Sequence, residues 1–299
     1  MTLQQLRYVV TVAEMGTITE AANRLYISQP SLTNAIHELE KEMNLVIFNR
    51  TNKGISLSRE GDEFLGYARQ VLDQAAILED KYKGGHGGKK KFCVSTQHYS
   101  FAVNAFVDLI KEYGQEEYDF SLRETQTYEI IEDVAHMRSE IGILFLNDFN
   151  ETVLRKILKT NDLEFHELFV AKPHVFISRK HPLADRQVIT NQELEEYPYL
   201  SFEQGEHNSF YFSEEIFSTS ERKKNIRVRD RATLFNLLIG LNGYTVCSGV
   251  IDKKLNGKDI IAVPLQDEGD MRIGYITHRK AVPGRLAATY LEALRKYLG

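Results

Sequence analysis

Two short groups of side chains carry most of the chemistry available to this chain. The first is Gln29, Ser31, Thr33, Asn34 and His37, whose spacing leaves them together on the polar face of one short segment. Asn and Gln amides pair bidentately with adenine, and small hydroxyls reach base edges or phosphates, so this face suits a DNA major groove. Arg50 and Lys53 follow downstream as cations able to meet a phosphate backbone. The second group is Ser95-Thr96-Gln97-His98-Tyr99-Ser100, hydroxyls and amides placed between a strand-like and a helix-like run. Such a loop can fix an anion on free amides without burying a fixed positive charge. Neither a glycine-rich phosphate loop, nor a metal-spaced His/Cys cluster, nor a Ser/His/Asp arrangement stands out, so no catalytic residue and no metal ligand is assigned.

The elements that must hold the first group follow from caps and periodicity. Thr17 with Glu20 forms a capping box for a helix from about Ile18 to Leu25, in which Ala21 and Ala22 allow close packing. Ser28 caps a second helix, with Gln29 and Pro30 in its first turn and a buried stripe at Leu32, Ile36, Leu39 and Met43. Ahead of both, Thr2 and Gln5 open a helix with Leu3, Leu6, Val10 and Ala13 on one face, stopped by Gly16. Behind them, Asn44–Phe48 and Ile55–Ser58 read as strands around a polar turn at 49–54. A hairpin there is a wing, and Arg50 and Lys53 fall at its tip.

From Glu60 onward Phe64, Ala68, Val71, Ala75, Leu78 and Tyr82 step by fours and threes, a heptad seam suited to pairing with a second copy of the same helix. The Gly/Lys-rich run Gly84–Lys91 then reads as a hinge. Strand and helix runs alternate beyond it: strands at Phe92–Ser95, Phe120–Arg123 and Ile141–Leu146, with helices at Phe101–Tyr113 and Tyr128–Met137. A second series has strands at His174–Ile177, Tyr199–Phe202, Ile226–Val228 and Tyr244–Cys247, with helices at Asn191–Glu196, Phe210–Ser220 and Thr233–Leu241. Strands at Ile260–Pro264 and Arg272–Thr277 and a helix at Arg285–Leu298 return the chain. The alternation predicts mainly parallel sheets in two α/β lobes with a cleft between them.

The organisation expected is therefore residues 1–58 as a winged helix-turn-helix domain, 59–90 as linker helix and hinge, and 91–299 as a bilobal α/β domain. Its first lobe covers about 91–165 and 267–299, its second 166–266. Length and 42% hydrophobic content allow two substantial cores. The net charge of -5 excludes a general nucleic-acid coat, and within 1–58 the five cations Arg7, Arg24, Lys41, Arg50 and Lys53 balance Glu14, Glu20, Glu38, Glu40 and Glu42. Affinity for DNA would then rest on local placement and on several copies acting together. Two distant cysteines, Cys93 and Cys247, no secretory start and no apolar run of about 20 residues point to a cytoplasmic protein with no membrane association.

These segments together resemble a LysR-type transcriptional regulator over essentially the full length. The motifs that carry it are Leu6-Arg7-Tyr8, Ala21-Ala22, Leu25, Ser28-Gln29-Pro30-Ser31-Leu32, Ile36, Leu39-Glu40, Ile47-Phe48-Asn49-Arg50 and Leu57-Ser58-x-x-Gly61. The resemblance implies a type 2 periplasmic-binding-protein-like effector domain, recognition helices in successive major grooves of promoter DNA, and a homodimer through the linker helix that assembles into a homotetramer. It also implies a small coinducer between the lobes, such as a small organic acid or an amino-acid derivative, with no cofactor, and RNA polymerase as a further partner. Asn34 and Lys53 depart from the pattern, since relatives often carry a basic residue and an arginine there, and Met137 and Glu140 stand where Gly and Asp are usual.

By the same resemblance Ser95, Thr96 and Gln97 lie in the main effector-contacting loop. Thr125, Thr127, Phe145, Ser201, Phe202 and Val246, at or after strand ends, form secondary walls. His207 and the basic run Glu221–Arg231 read as solvated surface. Two rival readings are a redox sensor using Cys93 and Cys247, and a bilobal small-molecule-binding protein or enzyme with an accessory winged-helix domain. Apolar strand patterns around both cysteines favour inert packing.

Overall fold

A computed structural model describes residues 1–51, 54–83, 90–113, 117–207, 209–216, 218–251, 258–266, 269–281 and 283–297. Two compact units meet in sequence at Lys90/Lys91. In the N-terminal unit α1 (Leu3–Met15), α2 (Ile18–Arg24) and α3 (Gln29–Met43) are followed by β1 (Phe48–Thr51), β2 (Gly54–Leu57) and α4 (Arg59–Lys83). The Thr2/Gln5 capping box forms as expected, and Gly16 ends α1 at φ 73°, a conformation that costs a side-chain-bearing residue about 1–2 kcal/mol. Val9 and Val12 join Leu6 in the core while Leu3 is exposed, so the α1 stripe is turned from the expected one. Ala21, Ala22, Leu32, Ile36, Leu39, Ile47 and Leu65 complete that core.

Two expectations for the wing are corrected. Residues 44–47 are not a strand: Asn44 takes a left-handed conformation, Leu45 N–H returns to Glu40 O at 3.1 Å, and the Glu40 carboxylate accepts from Ile47 N–H at 2.7 Å and Phe48 N–H at 3.1 Å. With the amides of Asn44, Leu45 and Ile47 bound to α3, the segment cannot form a regular ladder. Pairing starts at Phe48↔Leu57, which places Arg50 opposite Ile55 inside β1 instead of at the tip. The Arg50 side chain, Lys53 and the hinge glycines 84–88 lie outside the described residues.

The C-terminal unit holds β3 (Lys90–Thr96), α5 (Ser100–Tyr113), β4 (Tyr118–Glu124), α6 (Thr127–Ala135), β5 (Ile141–Leu146), α7 (Glu151–Thr160) and β6 (Leu163–Ala171). Next come β7 (His174–Ser178), α8 (Asn191–Leu194), β8 (Tyr199–Phe202), β9 (Asn225–Val228), α9 (Arg231–Leu241), β10 (Thr245–Cys247), β11 (Ile260–Pro264), β12 (Met271–His278) and α10 (Arg285–Arg295). The sheets are mixed, not mainly parallel. In the five-stranded order β4-β3-β5-β12-β6, β3 runs parallel to β5, while β12 is antiparallel to both neighbours. A three-stranded sheet β10-β7-β11 is antiparallel throughout, and β8 pairs parallel with β9.

Because β6 stays in the five-stranded sheet to Ala171, the chain crosses to the second lobe at Lys172–Pro173, six residues or so beyond the expected boundary. The helix expected over 210–220 is a single 3-10 turn at Phe210–Phe212. Its polar residues instead tie this segment to other parts of the lobes. One apolar core runs through both, from Phe92, Phe101, Ile143 and Tyr290 to Val175, Ile177 and Val246.

Candidate functional site

In the N-terminal unit the predicted reading face is set by how α2 hands over to α3. Tyr26 N–H bonds Asn23 O at 3.2 Å and Ile27 N–H bonds Ala22 O at 3.1 Å, the paired bonds of a Schellman stop, with Tyr26 itself at φ 54°. Ser28 then caps α3 through Ser31 N–H at 3.3 Å. Leu32, Ile36 and Leu39 are buried, which turns Gln29, Pro30, Ser31, Asn34 and His37 outward as exposed residues and leaves Thr33 half-buried. Thr33 Oγ1 donates to Gln29 O at 2.9 Å, and Ser31 Oγ lies 2.7 Å from Ser28 Oγ, so these two hydroxyls are already engaged locally. Tyr26, 96% exposed beside this face, escaped the sequence reading; its only signal was the break in periodicity.

In the C-terminal unit the predicted contacts separate into a buried hub and a recess. Gln97 is the hub: its Nε2 donates to Thr127 Oγ1 at 2.6 Å, and its Oε1 accepts from Phe145 N–H at 3.2 Å and Tyr99 O–H at 3.1 Å. Thr96 Oγ1 turns back to Gln97 O at 2.7 Å, and Thr125 N–H holds Thr96 O at 3.0 Å. Ser95 is buried with Asp133 Oδ2 at 2.6 Å and Ser139 Oγ at 2.8 Å. Ser95, Thr96, Gln97, Thr125, Thr127, Phe145 and Ser201 thus stand apart from the recess walls, and among the predicted wall residues Phe202 and Val246 line it. The loop folds inward because its amides and hydroxyls satisfy one another and the strand ends around them.

The recess itself encloses about 520 Å³ including its open mouth. Tyr99 and Ser100 of the first lobe and Phe202, Glu214, Arg231 and Val246 of the second are among its walls. Polar ties cross between the lobes at its edge. Glu214 Oε2 accepts from both the backbone N–H of His98 and its Nδ1, each at 2.9 Å, and Glu214 Oε1 accepts from Gln204 Nε2 at 3.3 Å. Gln204 Oε1 takes Thr127 N–H at 3.1 Å, which closes a circuit through Gln97, Thr127, Gln204, Glu214 and His98. Gly205, at φ 55°, lets the chain pass Gln126, whose Oε1 would sit 2.6 Å from an added Cβ.

Aromatic contacts reinforce this clasp. The His98 ring stacks on Phe202 with centroids 3.8 Å apart and planes 4° from parallel, Tyr128 stacks on His207 at 3.6 Å, and Phe149 stacks on Tyr211 at 4.8 Å. Arg231 Nη2 meets Glu124 Oε1 at 3.0 Å, so this arginine, 18% exposed, is a recess wall and not part of a solvated run. Sequence reasoning missed Gln204, Glu214, Glu215 and Arg231, because nothing local distinguishes two glutamates in a polar segment.

Burial alone would depress the imidazolium of His98, but the Glu214 carboxylate beside it outweighs that and holds its pKa above the ordinary value. Glu215 is 3% exposed; desolvation first and the neighbouring Glu214 second push its carboxyl to about 8. Its oxygens accept from Phe202 N–H at 2.8 Å and from Ser213 Oγ at 3.0 Å. Burial also raises both thiols: Cys93 lies on β3 of the five-stranded sheet with Sγ 3.1 Å from Ser139 Oγ, and Cys247 lies on β10 of the three-stranded sheet. Neither environment favours a reactive thiolate. Among the described residues there is no group of three or more His, Cys, Asp or Glu able to hold a metal, and no helix long and apolar enough to cross a membrane.

These features define a two-part protein, a helix-turn-helix DNA-reading domain joined in sequence to a bilobal α/β domain with a recess between its lobes. Residues 3–62 match the bacterial regulatory helix-turn-helix proteins of the lysR family, and residues 92–299 match the LysR substrate binding domain. The chain belongs to the LysR family of transcriptional regulators. It is 31% identical over 206 residues to the uncharacterised HTH-type transcriptional regulator YnfL of Escherichia coli (strain K12), covering 67% of this chain and 65% of that protein. To ClcR of Pseudomonas putida it is 40% identical over 89 residues, 30% of each chain. With the RuBisCO operon transcriptional regulator of Allochromatium vinosum the match is 26% over 305 residues, 99% of this chain and 95% of the relative.

Among solved structures, a full-length single-substitution variant of OxyR from Pseudomonas aeruginosa shares the fold with a TM-score of 0.67 at 19% identity, over 99% of this chain and 95% of that one. Full-length CbnR complexed with its target DNA gives 0.57 at 18% identity, over 99% and 100%.

Proposed function

We propose that this regulator binds promoter DNA through the exposed face of α3, as a homodimer joined by α4 that assembles into a homotetramer, and that a small coinducer entering the interlobe recess changes how the half-sites are engaged. Cytoplasmic location, RNA polymerase as a partner and the absence of a cofactor belong to the same reading. The observation that carries it is the clasp: Glu214 and Gln204 of one lobe hold His98 and Thr127 of the other beside a recess that both lobes line. A ligand favouring a different lobe spacing shifts the population of clasped chains by its differential affinity for the two states.

Exposure supports the dimer: Val71 and Leu78 of the α4 seam are 41% and 60% exposed, apolar groups placed where a second helix would cover them. CbnR was solved with its target DNA on this fold, which supports DNA binding by a chain of this architecture. Footprinting on the chain's own upstream region, with and without a recess-blocking Val250→Trp change, tests the reading. A changed pattern of protected half-sites is expected, and identical footprints from the two proteins would sink it.

A further inference from the structure

The recess carries charge of both signs in a defined place, and this narrows what can bind there. Glu214 and Glu215 are adjacent, both at most 7% exposed, and both on the wall. Arg231 stands on the same wall; its Nη2 is paired with Glu124, but its Nη1 is buried with no hydrogen-bond partner among the described residues. Between these groups lie apolar surfaces from Phe176, Leu234, Phe235 and Val246. Resting on the reading of this recess as the coinducer site, we propose that its ligand is a free α-amino acid with an apolar side chain. Its ammonium faces Glu214 and Glu215, and its carboxylate faces the guanidinium of Arg231.

Each half of that zwitterion answers a separate demand. A buried guanidinium N–H left unpaired is unfavourable, and a carboxylate on the recess wall gives the Arg231 guanidinium an acceptor to turn towards. Burial first, and repulsion from the neighbouring Glu214 second, keep the proton on Glu215 to about pH 8. An ammonium ion arriving already protonated lets Glu215 release that proton to solvent, so the bound pair is a carboxylate and an ammonium. A simple organic acid, one of the options the resemblance implied, would bring its negative charge beside Glu214 and lacks the ammonium that lets Glu215 ionise. A simple amine would leave the Arg231 guanidinium unanswered. The aromatic faces of Phe176 and Phe235 favour the remaining apolar side chain.

The test uses the full-length chain at pH 7 and calorimetric titration with leucine and phenylalanine. In parallel run their deaminated acids, 4-methylpentanoate and 3-phenylpropanoate, and their decarboxylated amines, isoamylamine and 2-phenylethylamine. At least one amino acid should bind, with each truncated analogue weaker by tenfold or more. Arg231→Gln should erase the preference over the amine, and Glu215→Gln the preference over the acid. Since Arg231→Gln strands Glu124, the double variant Arg231→Gln/Glu124→Gln keeps the first test readable. Acids binding as tightly as amino acids, or no member of the panel binding, would overturn the proposal. If the panel fails while Val250→Trp still alters the DNA footprint, the recess reading stands and only the ligand class falls. Should an amino acid bind while neither it nor Val250→Trp changes the footprint, the site stands and its regulatory role falls.

Discussion

The reading face of α3 and the interlobe recess are the two candidate binding sites of this chain, and they are assembled in opposite ways. On α3, one helix supplies every candidate contact, and a single stripe of Leu32, Ile36 and Leu39 decides which side chains look outward. Around the recess, His98, Thr127, Gln204, Glu214 and Arg231 come from five separate segments and meet only because the two lobes close on one another. The difference teaches that exposure leaves a site independent of its neighbours, whereas burial makes each partner's absence costly.

The largest expected effect follows from that asymmetry. Glu214→Ala leaves the His98 ring and the Gln204 amide buried without their acceptor, and removing one member of a buried pair costs about 3–5 kcal/mol. Calorimetric melting of the full chain should show that loss. A change within about 0.5 kcal/mol, the usual range for surface substitutions, would mean the clasp is open in solution.

On the other side of the comparison, Asn34→Ala or Gln29→Ala should leave melting unchanged while weakening binding to the cognate promoter by about 1–3 kcal/mol. Fluorescence anisotropy against a scrambled duplex separates this from a general loss of affinity. Equal losses on both duplexes would assign these amides to phosphates instead of bases.

A third prediction concerns pH. Between the ordinary carboxyl value of 4.5 and about 8, Glu215 keeps its proton in the folded chain and loses it in the unfolded one. The folded state therefore binds more protons, and stability falls as pH rises through that window, by at most about 1.4 kcal/mol per pH unit. His98 acts in the same direction, since its raised pKa contributes stability that is full below its ordinary value of 6.5 and lost as pH rises through the folded value. Melting curves from pH 5 to 8.5 should decline for these reasons, and Glu215→Gln should flatten the decline. A slope unaffected by that substitution would place the titration elsewhere.

The smallest effect belongs to Tyr26. Its left-handed conformation at a helix stop costs a residue with a side chain about 1 kcal/mol, so Tyr26→Gly should stabilise the chain by about that amount. If the exposed ring also touches DNA, the same variant will bind its promoter less well, which would extend the reading face into the turn.

The helix-turn-helix was legible because its determinants are local. Thr17, Ser28 and Asn44 act within four residues of themselves, and the stripe of α3 repeats at helical spacing whatever surrounds it. The wing was half legible: Ile55–Leu57 was found, but nothing in Asn44–Ile47 announces that Glu40 will take the amides a strand would have needed. In the C-terminal unit the alternation of strand and helix was plain, while the antiparallel placement of β12 between β5 and β6 was not, since strand direction depends on partners over a hundred residues away.

By itself, then, the sequence determined much of the order of elements, though not α7 or β6, together with the outward face of α3 and the loop at Ser95–Ser100 as a place where polar groups gather. Only the tertiary structure decided that Gln97 would turn inward to Thr127 and Phe145, and that Glu214 would cross between lobes to His98. Caps and periodicity are short-range consequences of backbone geometry. A buried polar circuit is decided by which distant segments desolvate one another, and that depends on the packing of the whole core.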